Sequence, residues 1–298
     1  MTHIFVGTAG WSYKDWEGRV YPEKKESHFH ALTYLAQYID IVEINSTFYR
    51  PPALHMALSW TKRVAHRPKF LFTVKLHQVF THKRKEFTRK DADDFKFGIE
   101  PLRAKDRLAS ILIQFPWSFA NTTANNDYLV KLFQLFSGYP LAVEIRHGTW
   151  NHEHFFKLLR EHHVSYCNID QPLIGNSIPP TAISTTPEYS YVRLHGRNAK
   201  NWFNKAAGRD DRYDYLYGED ELSDWVKKIK DLGRKSDKVF VITNNHYQGQ
   251  ALANALQIKN KITGEKLDIP PSLLQHFPLL KDIVEKIKSG QFDLFSEE

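Results

Sequence analysis

KFLFTVKLH (69–77) alternates a greasy parity, Phe70, Phe72, Val74 and Leu76, with a parity that turns polar as it runs: Thr73, Lys75, His77. Residues two apart in a strand share a face. The run therefore reads as a strand with one face for packing helices and another whose far end is polar. Other runs repeat the layout. IVEIN (41–45) sets Glu43 and Asn45 against Val42 and Ile44, and ASILIQF (109–115) sets Ser110, Leu112 and Gln114 against Ile111, Ile113 and Phe115. LAVEIRH (141–147) offers Glu144 and Arg146, VSYCNID (164–170) offers Asn168 and Asp170, and SYVRLHGR (190–197) offers Arg193, His195 and Arg197. KVFVITNNH (238–246) ends in Asn244, Asn245 and His246. With an opening strand near 4–8, these make eight.

Helical patterns separate the runs, among them HFHALTYLAQYI, LHMALSWTKRV, residues 91–104, HEHFFKLLREHH, residues 219–233 and QALANALQIKN. Strand–helix alternation argues for a parallel sheet. Eight such strands close an α/β TIM (β/α)8 barrel, with its site where the polar strand ends gather. The expected boundaries are a single barrel domain over 1–262 and a C-terminal helix with a flexible tail over 263–298. QPLIGNSIPPTAISTTPEY (171–189) lacks a helical period and reads as a long loop near the site. An open doubly wound sheet is the alternative fold. Neither G-x-G-x-x-G nor G-x-x-x-x-G-K-[ST] occurs, which weighs against a nucleotide cofactor.

Composition narrows the class. The chain has 298 residues, 42% hydrophobic and 25% charged, and a formal charge of +7. That is ordinary for a globular protein, and the surplus cations suit anionic partners. No apolar run approaches the ~20 residues of a membrane span, so no membrane partner is expected. Cys167 is the single cysteine, placed on the apolar parity of its strand, and reads as an inert core thiol. A cytoplasmic location fits a chain without an intrachain disulfide or a signal-peptide pattern.

GTAGWSYKDWEGRVYP (7–22), VEINSTFYRPP (42–52), FTVKLHQVFTH (72–82), LIQFPWSF (112–119), AVEIRHGTW (142–150), YVRLHGR (191–197) and NNHYQGQALANA (244–255) resemble, in order, motifs of the YecE-like family, domain of unknown function 72. The resemblance spans about 4–257 and implies a TIM barrel. It implies no reaction, so function rests on the site.

Burying a charge without a partner is costly, so inward Glu43, Glu144, Asp170, Lys75, Arg146, Arg193 and Arg197 form either an ion-pair network or a polar pocket for an anion. Arginine forks suit phosphate and carboxylate oxygens. In the pocket reading Glu43 and Glu144 are the general acid and base. His195, flanked by arginines, is kept neutral and able to accept a proton. Asn45, Gln114, Asn244, Asn245 and His246 orient substrate, while Tyr13 and Tyr49 donate to an oxyanion. The expected substrate is phosphorylated or derived from nucleic acid.

Other readings compete. Glu43, Glu144, Asp170 and His195 could ligate a divalent metal, though interleaved cations would repel it; no metal ligand set is assigned. Two carboxylates with Trp11, Trp16 and Trp150 suit a glycosidase or sugar isomerase. A non-catalytic nucleic-acid-associated binding module would keep the arginines without a carboxylate pair. The segment 198–218, with Trp202, Phe203, Tyr213, Tyr215 and Tyr217 among basic residues, either grips a polyanion or packs as a lid. Finally Gln291, Leu294 and Phe295 in GQFDLFSEE resemble the Q-x-x-L-F peptide that holds the DNA sliding clamp, a candidate partner.

Overall fold

The computed structural model describes residues 2–84, 87–202 and 210–285. Eight parallel strands close into a barrel in chain order: β1 His3–Ala9, β2 Ile41–Ile44, β3 Leu71–Lys75, β4 Leu108–Gln114, β5 Leu141–Glu144, β6 Val164–Asp170, β7 Tyr189–Leu194 and β8 Lys238–Thr243. Pairing of β1 with β8, from His3 opposite Lys238 to Thr8 opposite Thr243, closes the ring. Gly7 makes the β1–β2 contact possible, since a Cβ there would lie 1.7 Å from the Ile41 carbonyl oxygen.

The α-helices are α1 Ala31–Leu35, α2 Ser46–Tyr49, α3 Leu54–Arg63, α4 Arg89–Ala104, α5 Thr123–Leu135, α6 Glu153–Glu161, α7 Ala199–Trp202, α8 Glu219–Gly233, α9 Gln250–Thr263 and α10 Pro271–His276. Their apolar spacing explains their seating. In α8, Leu222, Trp225, Val226, Ile229 and Leu232 recur at helical intervals and are all buried. Its start is stapled by the Gly218 N–H, which donates to Glu221 Oε2 at 2.9 Å. Thr88 and Asp91 close a reciprocal cap on α4.

Between β6 and β7 the sheet has no covering helix. Residues 171–188 lie there instead, and side chains of β6 and the loop hold them. Asn168 Oδ1 accepts from Thr181 Oγ1 at 2.9 Å and from the Ile183 N–H at 2.8 Å. Thr185 Oγ1 accepts from the Tyr166 N–H at 2.8 Å and donates to the Val164 carbonyl at 2.7 Å. Asn168 and Asp170 therefore face outward, and Cys167 faces the barrel interior among Glu43, Glu144 and Arg193. This reverses the expected parity of the strand. The polar outer residues are fasteners for a loop that cannot supply the apolar stripe of a helix.

After α9, Leu267, Ile269, Leu273, Leu274, Phe277 and Leu280 join the barrel's apolar core. Residues Pro278–Ile283, part of a stretch that reads as helix-like, form a 3-10 turn, and Val284 bridges to Leu267. Gln291, Leu294 and Phe295 lie outside the described residues. No helix of the described residues is long and apolar enough to cross a membrane.

Candidate functional site

Arg193, on the inward face of β7, organises the upper barrel interior. Its Nη2 donates to Glu43 Oε1 of β2 at 2.6 Å, and its Nη1 donates to Glu144 Oε2 of β5. The other carboxylate oxygens are also taken. Tyr191 Oη lies 3.0 Å from Glu43 Oε2, and Arg146 Nε donates to Glu144 Oε1 at 2.8 Å. Both carboxylates are wholly buried. Burial opposes ionisation of Glu144, but Arg193, Arg146 and His195 outweigh it and hold the carboxyl well below its usual range. Burial likewise disfavours the charge of Arg193, and Glu144 with Glu43 overcomes that and raises its pKa well above the ordinary value.

His195 is wholly buried beside this cluster. Its Nδ1 lies 2.9 Å from Asn244 Nδ2, and its Nε2 is 3.3 Å from Glu144 Oε1 and 3.4 Å from guanidinium nitrogens of Arg146 and Arg193. Burial, with the two arginines against the pull of Glu144, lowers its pKa to about 3, so the ring is neutral.

Above the cluster opens a cavity of about 440 Å³ at the C-terminal ends of the strands. Lys75, Arg146, Arg193 and Arg212 line it, and among the described residues no aspartate or glutamate does. Tyr13, Asn45, Tyr49, Gln114, Asn244 and His246 share the wall, with Trp11 and Tyr213. Lys75, the last residue of β3, is partly buried and carries its ammonium 4.1 Å above the Phe48 ring. Burial and then Arg193 lower its pKa to about 7, against smaller opposing effects of Glu43 and Glu144. Burial, then Lys75 and Arg146, bring His82 to about 4. Asn45 Oδ1, Arg193 Nε and Arg212 Nε, on wall residues, are buried and have no hydrogen-bond partner among the described residues. Buried polar atoms rarely go unpaired.

Several expected site residues stand elsewhere. Glu43, Glu144 and His195 do not line the cavity; they lie beneath it, locked to Arg193, and present no free oxygen or ring edge to a ligand. Asp170 points at the helix layer, where its Oδ2 accepts from Trp225 Nε1 at 2.7 Å. Arg197 follows it there, bonded to both Asp170 oxygens at 3.0 Å and to Glu221 at 2.7 Å. The cause is Gly196, whose φ of +87° breaks the strand's alternation between His195 and Arg197. Asn245 is also turned outward, donating to the Tyr215 carbonyl and to Asn254 of α9, each at 2.8 Å. Tyr13 lines the cavity, but its hydroxyl donates to the Ala9 carbonyl rather than toward an oxyanion, and its ring stacks on His246 at 4.3 Å. Among the described residues no group of three or more His, Cys, Asp and Glu is arranged for a metal; the cation between the two carboxylates is a guanidinium.

Of the basic and aromatic segment after β7, the described residues 198–202 and 210–218 pack against the barrel. Trp202 is buried, its ring 6.2 Å from that of His195 and 5.5 Å from the Arg146 guanidinium carbon. Tyr217 is buried in the apolar layer under α8, and its hydroxyl accepts from the Gly196 N–H at 2.8 Å. Phe203 lies outside the described residues. The segment's density of aromatics marked it, but nothing singled out Arg212, which lines the cavity beside Tyr213.

Comparison with known proteins agrees with this architecture. The family described as "Protein of unknown function DUF72" matches residues 5–276. The UPF0759 protein YunF of Bacillus subtilis (strain 168) is 32% identical over 288 residues, covering 92% of this chain and all of that protein. A crystal structure of a DUF72 family protein from Thermotoga maritima MSB8 is 38% identical, with a TM-score of 0.76 over 87% of this chain and 99% of the other. One from Enterococcus faecalis V583 is 27% identical, with a TM-score of 0.77 over 90% of this chain and 98% of the other.

Proposed function

The chain belongs to the DUF72 family, and we propose from its cavity that it binds a small anionic molecule, bearing phosphate or carboxylate, and acts on it by acid–base chemistry. One observation carries this: among the described residues the wall holds Lys75, Arg146, Arg193 and Arg212 and no acidic residue. A ligand entering there meets a surplus of positive charge, Lys75, Arg146, Arg193 and Arg212 over the two carboxylates Glu43 and Glu144 beneath them, in a partly water-excluded space where electrostatic attraction exceeds its value in bulk water. Cavity size adds a limit. At about 440 Å³ it falls among small-molecule sites, which suits a nucleotide or sugar phosphate better than a duplex. Trp11 and Tyr213 offer flat faces for a base or sugar.

Acid–base work falls to Lys75, the wall group whose proton is nearly balanced at neutral pH. Glu43 and Glu144 have the supporting task of fixing Arg193 in place. Because the two carboxylates share a guanidinium below the cavity, they do not flank a bond in the manner of a glycosidase pair. Titration calorimetry with inorganic phosphate, adenosine monophosphate and neutral adenosine tests the reading. Both anions are expected to bind, adenosine is not, and Arg212→Gln is expected to weaken phosphate by roughly tenfold, about 1.4 kcal/mol. Equal binding of adenosine and its monophosphate would sink the proposal.

A further inference from the structure

We propose that Lys75 is a carbonyl-directed nucleophile, whose amine condenses with an aldehyde or ketone of the anionic substrate to form an imine. This rests on the reading of the cavity as an anion site and names the substrate class: a small oxo-compound carrying phosphate or carboxylate.

The geometry argues for it in three ways. Lys75 ends β3, so its side chain rises from a rigid strand into the cavity wall. The carboxylates nearest in charge, Glu43 on β2 and Glu144 on β5, have their oxygens occupied by Arg193, Tyr191 and Arg146. The lysine therefore faces two arginines, Arg146 just past β5 and Arg193 of β7, and His82 from the turn after β3, with the Phe48 ring as its close partner. A desolvated lysine beside other cations is the usual setting for an amine nucleophile, and burial with Arg193 brings this one to about 7. The same surroundings suit each later state. Attack of Nζ on the carbonyl carbon forms the C–N bond and an alkoxide, which Arg146 and Arg193 are placed to stabilise. Proton transfer from nitrogen to oxygen gives the carbinolamine. Loss of the hydroxyl with the remaining amine hydrogen releases water and leaves C=N. When the imine is protonated, the Phe48 face accommodates its charge.

Borohydride trapping tests this on the full chain. Glycolaldehyde phosphate is added near pH 7, the imine is reduced, and the adduct is located by peptide mass mapping; calorimetry with inorganic phosphate runs in parallel. The expected result is one adduct, on Lys75, suppressed roughly tenfold by saturating phosphate. Lys75→Arg, checked for folding by circular dichroism, is expected to lose the adduct. No adduct, or adducts spread over surface lysines and unchanged in Lys75→Arg, overturns the nucleophile; phosphate binding that survives in that case keeps the anion site. Trapping on Lys75 that phosphate does not suppress supports the nucleophile and removes the anion site.

Discussion

Arg193 and Arg197 stand four positions apart on one strand and its continuation, and each holds two acidic side chains, yet they do different work. Arg193 bridges Glu43 and Glu144 inside the barrel with 2% of its side chain exposed. Arg197 bridges Asp170 and Glu221 on the outside, with 36% exposed. The inner bridge lies under a cavity and sets its charge, whereas the outer one ties β6 and β7 to α8. An arginine between carboxylates is thus no sign of a site by itself; what matters is which side of the sheet it faces and whether open space lies above it.

The sharpest way to break the comparison is to remove each arginine. Arg193→Met leaves two wholly buried carboxylates without their shared cation, and a loss of about 3–5 kcal/mol is expected in urea unfolding. Acid should narrow that loss. Glu144 in the native chain releases its proton at lower pH than when unfolded, so its stabilisation is complete above the ordinary carboxylate range and fades as pH falls through and below it. The variant lacks that stabilisation, and its buried carboxyls gain by becoming neutral. Unfolding curves at pH 7 and pH 4 should therefore lie closer together for wild type and variant at the lower pH; a constant gap would contradict the inner bridge.

Gly196→Ala attacks the turn that separates the two arginines. Its φ is +87°, and an added Cβ would meet Tyr215 Cβ at 2.7 Å. A cost of about 2 kcal/mol is expected from calorimetric melting. Lys75→Met acts in the opposite direction. The native chain holds this proton less tightly than the unfolded one, so stability rises as pH climbs from about 7 toward the ordinary lysine value, and below 7 the burial penalty is complete. Thermal melts of the variant should show a gain on the order of 1 kcal/mol at pH 6 that vanishes near pH 10. Smallest of all is Arg197→Gln, where a partly exposed pair is expected to cost no more than about 1 kcal/mol in the same urea assay that exposes Arg193. Equal losses for the two arginines would erase the distinction between them.

Much of this was legible in the chain. Alternation in KFLFTVKLH and IVEIN placed Lys75 and Glu43 inward, and the strand–helix order predicted the closed barrel that is found. Legibility ended where extended backbone ended. Asn168 and Asp170 look like inward polar residues, but the loop replacing a helix over β6 holds Asn168 outward, and Trp225 of α8 with Arg197 holds Asp170. Arg197 lies past the last paired residue of its strand and beyond the Gly196 turn, where parity no longer applies, whereas Asn245 keeps the outward parity of Val239 and Val241. Arg212 had no local signal because it lies outside any strand, and its place at the cavity is a matter of tertiary packing.

The amino-acid pattern alone determined the barrel, the face on which polar strand ends gather, and the excess of cations there. Period-2 alternation and strand–helix order are local properties, and burial of apolar surface acts on them the same way wherever they occur. Only the tertiary structure decided which charges meet. Glu43 and Glu144 are brought to one guanidinium by closure of the ring, so they brace Arg193 and leave Lys75 facing the cavity without a carboxylate. Partner choice among charges depends on distances of a few ångströms between residues far apart in the chain, and no spacing within one strand carries that information.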